Sequence, residues 1–330
     1  MSHRVDATRD IPRRLRPIAP FKGGIFFSFL LVSFHSRFFS APLCLCGIFW
    51  FSLCPVQLAF GQSIQNRLPT PRIYDQIKAR QKGLALWWVG NAGWLIKSDD
   101  ILIGTDLDLE LEEKIYEPPI SADDLAKILD VVFVSHHHGD HCNAFTLKVL
   151  AQKSNCAFVL PQTCLDEEPD LKIPKERLII PQPLHPFDIR GIHVEPIHAI
   201  HGNQDFTVLT REKDFIKGIT HNCGYVLTIQ GKRFLHPGDS VLTEEHLSLN
   251  QIDVLFISPT VHNMFTDRSM ILINHLEPEY IFPQHFDTYR QTPDNMFWTK
   301  GYPDELKLKL SKSLQKRYHK LSQGEMFVIK

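Results

Sequence analysis

Chemically capable side chains are concentrated at residues 136–141, where four imidazoles and one carboxylate occur within six positions. In order, the residues are His136, His137, His138, Gly139, Asp140 and His141. Without a cation to receive their lone pairs, so dense a cluster would be costly and self-repelling. In an extended segment His136 and His138 point to the same side, and a turn at the glycine lets Asp140 and His141 face a second position. The spacing therefore indicates two cations about 3.5–4 Å apart, each open to a water molecule; a chance cluster on a solvated loop is the alternative.

With its HxHxDH motif the chain resembles the metallo-β-lactamase superfamily, and the resemblance extends over residues 84–290. Residues 87–96 (WWVGNAGWLI) are similar to the opening hairpin of the branch that includes ascorbate-6-phosphate lactonases and N-acylphosphatidylethanolamine phospholipase D. Residues 236–240 (HPGDS) resemble the family's GD[ST] element, which implies that Asp239 is the bridging carboxylate. Residues 283–289 (PQHFDTY) resemble the last motif of that branch, which implies that His285 is the final metal-binding histidine.

One ligand position is ambiguous. The family has a histidine at a strand end between the first motif and GD[ST], and His198 and His201 compete for it. His201 is preferred because it lies at the predicted strand end, just before Gly202. The resemblance then implies one cation held by His136, His138 and His201 and a second held by Asp140, His141 and His285, with Asp239 shared.

This ligand set implies the chemistry. Nitrogen and oxygen donors without thiolate favour zinc, with manganese or iron as alternatives. Two cations lower the pKa of a shared water towards ~7, so that hydroxide is available at neutral pH. The expected function is a binuclear metal-dependent hydrolase of an ester, lactone or phosphodiester. Asp140 would orient the nucleophile, His262 is the candidate proton donor to the leaving group, and Asp106 and His236 are candidate partners of the ligands.

Two other functions compete with this hypothesis. A phospholipase D-like lipid hydrolase is suggested by the phospholipase resemblance and by an apolar N-terminal segment. A redox or oxygen-binding metalloprotein is suggested because diiron members share the fold, although no attached flavodoxin-like or rubredoxin-like domain is visible. The substrate is expected to be a small molecule or a lipid, and the oligomeric state is left open.

The elements that must position these residues follow from hydrophobic patterning. Short apolar runs at 84–89, 94–97 and 101–104 are separated by polar turns and predict an antiparallel meander. The continuous apolar run at 131–134 predicts a strand covered on both faces, which ends at the histidine motif. Further strands are predicted at 157–160, 192–200, 225–229, 233–235, 254–258, 280–283 and 326–329, and helices at 121–129, 144–152, 268–276 and 303–319. Strand groups followed by helices, twice over, predict an α/β fold of the αββα sandwich type, with two packed mixed sheets and helices outside.

The N-terminal region differs from the rest. Residues 1–61 contain seven Lys/Arg and two Asp/Glu, and the apolar stretch 43–60 follows the basic residues. This pattern predicts a signal peptide, with a retained membrane anchor or a buried helix as the alternatives. The predicted organisation is a signal peptide or anchor at 1–61, a linker at 62–83 and a hydrolase domain at 84–330. An exported protein, periplasmic or anchored facing outward, is expected over a cytoplasmic one.

Charge and cysteine content add two limits. Residues 62–330 contain 29 Lys/Arg and 35 Asp/Glu without a basic run, which argues against nucleic acid as a partner. The four cysteines of this region, Cys142, Cys156, Cys164 and Cys223, form no CxxC pair. They allow three disulfide pairings or free buried thiols.

Overall fold

The structure is a computed structural model that describes residues 68–202 and 221–330. The predicted leader, 1–61, lies outside the described residues, which all fall within one compact unit, 60–330. In the described part of the chain, no helix is both long and apolar enough to cross a membrane.

The first β-sheet has seven strands in the described residues, in the order β13-β1-β2-β3-β4-β5-β6. The strands are β1 (Leu84–Gly90), β2 (Gly93–Ser98), β3 (Ile101–Thr105), β4 (Val131–Phe133), β5 (Ala157–Val159), β6 (Leu178–Ile179) and β13 (Met326–Ile329). The pairs β13/β1, β1/β2 and β2/β3 are antiparallel, and the pairs from β3 to β6 are parallel. The predicted meander and the mixed character of the sheet are therefore confirmed.

The second sheet has six described strands, in the order β12-β11-β10-β9-β8-β7. They are β7 (Phe187–Ile189), β8 (Ile192–His198), β9 (Cys223–Ile229), β10 (Lys232–His236), β11 (Val254–Ile257) and β12 (Tyr280–Pro283). Strands β10, β11 and β12 run parallel, so their C-terminal ends meet at one edge of the sheet.

Helices cover the outer faces of both sheets. They are α1 (Tyr74–Ala79), α2 (Ala122–Leu125), α3 (Ala144–Lys153), α4 (Gln162–Glu167), α5 (Glu244–Ser248), α6 (Phe265–Leu276), α7 (Met296–Thr299), α8 (Pro303–Lys309) and α9 (Lys312–Arg317), with short 3-10 turns at Pro169–Leu171 and Lys175–Arg177. Side chains alternate along each strand, so β1 sends Trp87 to the α1–α4 layer and Trp88 to the layer between the sheets. The predicted αββα sandwich is confirmed.

Three local features differ from the predicted elements or refine them. The predicted helix 303–319 is two helices, because the side chain of Ser311 accepts a hydrogen bond from the backbone N–H of Leu314 and starts α9. The described part of the predicted linker contains α1, whose Ile77 is buried in the core together with Ile73. All four cysteines in the described residues are buried free thiols.

Candidate metal centre

The predicted ligands lie on loops that follow strands of both sheets. His136, His138, Asp140 and His141 follow β4, His201 follows β8, Asp239 follows β10 and His285 follows β12. Asn143 caps α3 through a hydrogen bond from the N–H of Thr146, and this cap ends the histidine loop. An isolated β-bridge joins His201 to Ser240 and brings the end of the β8 segment beside Asp239. The tertiary fold thus collects residues 149 positions apart into one site.

The first group of candidate ligands is His136, His138 and His201. One ligand atom from each of these residues lies within 4.8 Å of the others. His136 Nε2 is 3.1 Å from His138 Nδ1, and the rings of His138 and His201 are 4.5 Å apart at their centroids. Tetrahedral zinc with bonds of about 2.0–2.1 Å separates its ligand atoms by about 3.3 Å, so these spacings suit one cation.

The second group is Asp140, His141 and His285, again within 4.8 Å of one another. The Nε2 atoms of His141 and His285 are 3.0 Å apart. Asp140 Oδ2 lies 3.5 Å from His141 Nε2 and 3.9 Å from His285 Nε2. Two imidazoles and one carboxylate therefore converge on a second position.

Hydrogen bonds at Nδ1 orient the rings of His141 and His285. His141 Nδ1 is 2.7 Å from Asp106 Oδ2, and His285 Nδ1 is 3.2 Å from the Trp298 carbonyl oxygen. Because both partners can only accept, Nδ1 is the donor in each bond, and the Nε2 atoms of the two rings face each other. Asp239 Oδ1 also points there, 2.9 Å from His285 Nε2, and accepts no hydrogen bond. Buried nitrogen and oxygen atoms that converge in this way are suited to binding a cation.

Asp239 spans the two groups. Its Oδ1 is 3.4 Å from His141 Nε2, whereas its Oδ2 is 3.7 Å from His201 Nε2. One carboxylate oxygen therefore faces each group, as a shared ligand would.

Electrostatics differ between the two groups. Burial lowers the pKa of His136 well below its ordinary value and that of His201 to about 3, so both imidazoles stay neutral and keep their lone pairs. Burial alone would also lower the pKa of His141, but Asp239, Asp140 and Asp106 raise it well above its ordinary value. The second group therefore concentrates negative charge, which favours a divalent cation.

The remaining histidines singled out in the sequence differ in where the structure places them. His198 Nδ1 pairs with Glu245 Oε2 at 2.8 Å, and this histidine belongs to none of the candidate ligand groups found among the described residues. His262 lies inside the site, with Nε2 2.7 Å from Asp239 Oδ2 and Nδ1 3.1 Å from the Phe297 carbonyl oxygen. His236 donates from Nε2 to the Ala92 carbonyl oxygen at 3.1 Å and lies 3.8 Å from Asp106.

One polar contact was missed from the sequence. Asn91 Nδ2 donates to Asp140 Oδ2 at 3.0 Å and to the Asp140 carbonyl oxygen at 3.2 Å. It therefore orients the carboxylate expected to place the nucleophile. The available signal was the Gly90–Gly93 turn, whose Asn91 takes a positive φ of 49°.

A cavity of about 220 Å³ opens above the cluster. It is lined by His138, Asp140, His201, Asp239, His262, Phe297 and Trp298. The site thus combines a polar floor with two aromatic side chains, neither of which was assigned a role in metal binding.

The family model described as Beta-lactamase superfamily domain matches residues 85–285. A probable L-ascorbate-6-phosphate lactonase, UlaG, of Shigella boydii is 24% identical over 251 residues, covering 62% of this chain and 70% of that protein. The chain spans 58% of the length of a Salmonella relative of the same name.

Solved structures show the same fold. Igni18, a metallo hydrolase from the archaeon Ignicoccus hospitalis, has a TM-score of 0.57 and 17% identity, covering 75% of this chain and 98% of that chain. CmlA, a diiron β-hydroxylase from Streptomyces venezuelae, has a TM-score of 0.54 and 14% identity, covering 76% and 55%.

Proposed function

The chain belongs to the metallo-β-lactamase superfamily of metal-dependent hydrolases, and we propose that it is a binuclear hydrolase of an ester, lactone or phosphodiester bond. The observation that carries the binuclear proposal is the convergence of buried imidazole nitrogens and carboxylate oxygens on two neighbouring positions. Two imidazole Nε2 atoms lie 3.0 Å apart, and a buried carboxylate oxygen faces both. The three-histidine group on the other side of Asp239 supplies the second position.

The ligand atoms suit divalent cations, zinc first among them. Bound cations of this kind supply hydroxide at neutral pH and polarise the oxygen of the scissile group. The chain's own residues provide orientation. Asp140, held by Asn91, directs its carboxylate towards the cavity, where it can accept a hydrogen bond from the attacking oxygen.

His262 is proposed as the proton donor to the leaving group. Its Nδ1 donates to the Phe297 carbonyl oxygen, and its Nε2 lies 2.7 Å from Asp239 Oδ2 at the wall of the cavity. A proton held at Nε2 beside the cavity can pass to an alkoxide as the scissile bond breaks. Its grouping with His201 and Asp239 makes a ligand role the competing assignment.

The proposal is tested by metal content and activity together. Purified full-length protein loaded with zinc should hold two ions per chain, whereas zero or one would contradict the binuclear site. The loaded protein should hydrolyse members of a panel of lactones, carboxylic esters, phosphodiesters and phospholipid vesicles. Activity on vesicles alone would favour the phospholipase D-like alternative, and oxygen-dependent turnover with iron but no hydrolysis would favour the redox alternative.

Substitution separates the role of Asp140 from general damage. Asp140→Ala should abolish hydrolysis while the far-ultraviolet circular dichroism stays that of the wild type. Asp188→Ala removes a carboxylate on β7 that is 79% exposed and does not line the cavity, and it should leave the rate unchanged. Activity retained by Asp140→Ala would refute the assigned role.

A further inference from the structure

The aromatic wall of the cavity, Phe297 and Trp298, is the part of the site that metal binding does not explain. Both side chains are half-buried on α7, and they are the two large apolar residues among those lining the 220 Å³ space. The Phe297 ring meets the His262 ring edge-on, with centroids 5.9 Å apart. The wall therefore lies directly beside the position assigned to the leaving-group proton donor.

The backbone of the wall supports the site. The Phe297 carbonyl oxygen accepts from His262 Nδ1, and the Trp298 carbonyl oxygen accepts from His285 Nδ1. The wall is therefore fixed relative to the reacting centre, because the residues that present the aromatic rings also hold two of its histidines.

Packing against a neighbouring aromatic ring supports the Trp298 ring. It packs against the Tyr289 ring, with centroids 5.2 Å apart, and the Tyr289 hydroxyl donates to buried Asp108 Oδ2. Asp108 in turn pairs with buried Lys114 at 2.8 Å. A ring supported in this way is a preformed contact surface, which binds at low entropic cost.

We propose that Phe297 and Trp298 are specificity-determining residues and that the substrate carries a compact apolar acyl or aryl group packed against them. This inference rests on the proposed hydrolase function. The cavity volume corresponds to about seven water molecules and is smaller than most drug-sized ligand pockets. It accommodates a short acyl chain or one phenyl ring, whereas a long fatty acyl chain extends beyond it.

Hydroxamic acids test the wall independently of turnover, because the hydroxamate chelates metal while its acyl substituent occupies the cavity. Binding of acetohydroxamate, benzohydroxamate and decanohydroxamate to zinc-loaded full-length protein is measured by calorimetry. Trp298→Ala should weaken benzohydroxamate about five- to tenfold and acetohydroxamate less than about twofold. Trp298→Phe should recover most of the benzohydroxamate affinity.

Two controls distinguish direct contact between the Trp298 ring and the probe from support of the metal site. Trp298→Ala keeps its carbonyl group, so zinc content should remain at the wild-type level. Phe145→Ala removes an aromatic side chain that is 47% exposed and does not line the cavity, and it should change none of the affinities.

Each outcome bears on the proposal. Equal weakening of the acetyl and benzoyl probes in Trp298→Ala, or no binding of any probe to the wild type, overturns it. Decanohydroxamate binding more than about tenfold tighter than benzohydroxamate overturns the size limit. Selective binding of the probes without hydrolysis of any panel substrate supports the role of the aromatic wall and refutes the hydrolase function. Hydrolysis by the wild type together with unchanged probe selectivity in Trp298→Ala supports the hydrolase function and refutes the role of the wall.

Discussion

Asp106 offers a sharp test of how the metal centre is supported. This buried carboxylate accepts hydrogen bonds from the Ser135 N–H and hydroxyl groups, both at 2.7 Å, and from His141 Nδ1 at 2.7 Å. The bond to His141 fixes the ring so that Nε2 faces the second ligand group. Asp106 therefore acts on metal through His141 and is a positioning residue.

The perturbation is Asp106→Asn, which keeps the shape and replaces one acceptor oxygen with a donating amide. The Ser135 N–H bonds to Oδ1 and His141 Nδ1 bonds to Oδ2, and the amide has an oxygen at only one of these two positions. If the NH₂ group faces His141, the ring must move its proton to Nε2 and lose its ligand lone pair. Loss of such a supporting carboxylate costs about 10- to 100-fold in metal affinity, or about 1.4–2.7 kcal/mol.

The assay is competition with a coloured chelator, which resolves two zinc equivalents by affinity. In Asp106→Asn one equivalent should weaken by that factor, because His141 is a candidate ligand of the Asp140–His141–His285 group, while the equivalent held by His136, His138 and His201, a group without His141, stays tight. Asp130→Asn is the matched control, since Asp130 accepts a 2.8 Å hydrogen bond from the Leu102 N–H and belongs to none of the candidate ligand groups found among the described residues. Two equivalents bound as tightly as in the wild type would refute the reasoning.

Three more outcomes follow from contacts in and around the site. His201→Ala should lose more bound zinc than His198→Ala, because His201 faces the cluster and His198 pairs with a glutamate outside it. Lys114→Met should lower the free energy of unfolding in urea by about 3–5 kcal/mol, because Asp108 is left buried without its cation. Burial lowers the pKa of His246 to about 4, so the folded state resists protonation and stability is lost as pH falls from 6.5 towards 4. His246→Gln should remove about 3 kcal/mol of that loss, measured as the difference between urea unfolding at pH 7 and below pH 4.

A larger zinc loss in His198→Ala would reverse the ligand assignment. Lys127→Met breaks an exposed pair and should cost less than about 1 kcal/mol, so equal losses for both lysines would contradict the burial argument. His193→Gln changes a solvent-exposed histidine and should leave the pH dependence intact, and the same profile in His246→Gln would show that His246 does not produce it.

Much of the fold could be predicted from the sequence, because the burial of a strand or helix requires apolar residues at a regular spacing. The meander of β1–β3 followed from apolar runs separated by turns, and the strand before the histidines followed from an unbroken apolar run. The helix at 303–319 was wrong in one respect, since Leu306, Leu310 and Leu314 keep helical spacing across a break at Ser311. Serine occurs both inside helices and at their N-terminal caps, so the pattern could not reveal the interruption.

The sequence by itself indicated a metal site in this protein, because the density of donors in residues 136–141 has few other physical uses. It also marked the distant segments that contain Asp239 and His285. Only the tertiary structure decided which strand-end histidine joins the cluster, because the β-bridge between His201 and Ser240 is a contact between distant segments. It alone showed that Asp106 orients His141 and that carbonyl groups of α7 orient His262 and His285. Backbone carbonyl groups are common to every residue, so their use as supports depends on where the folded chain places them.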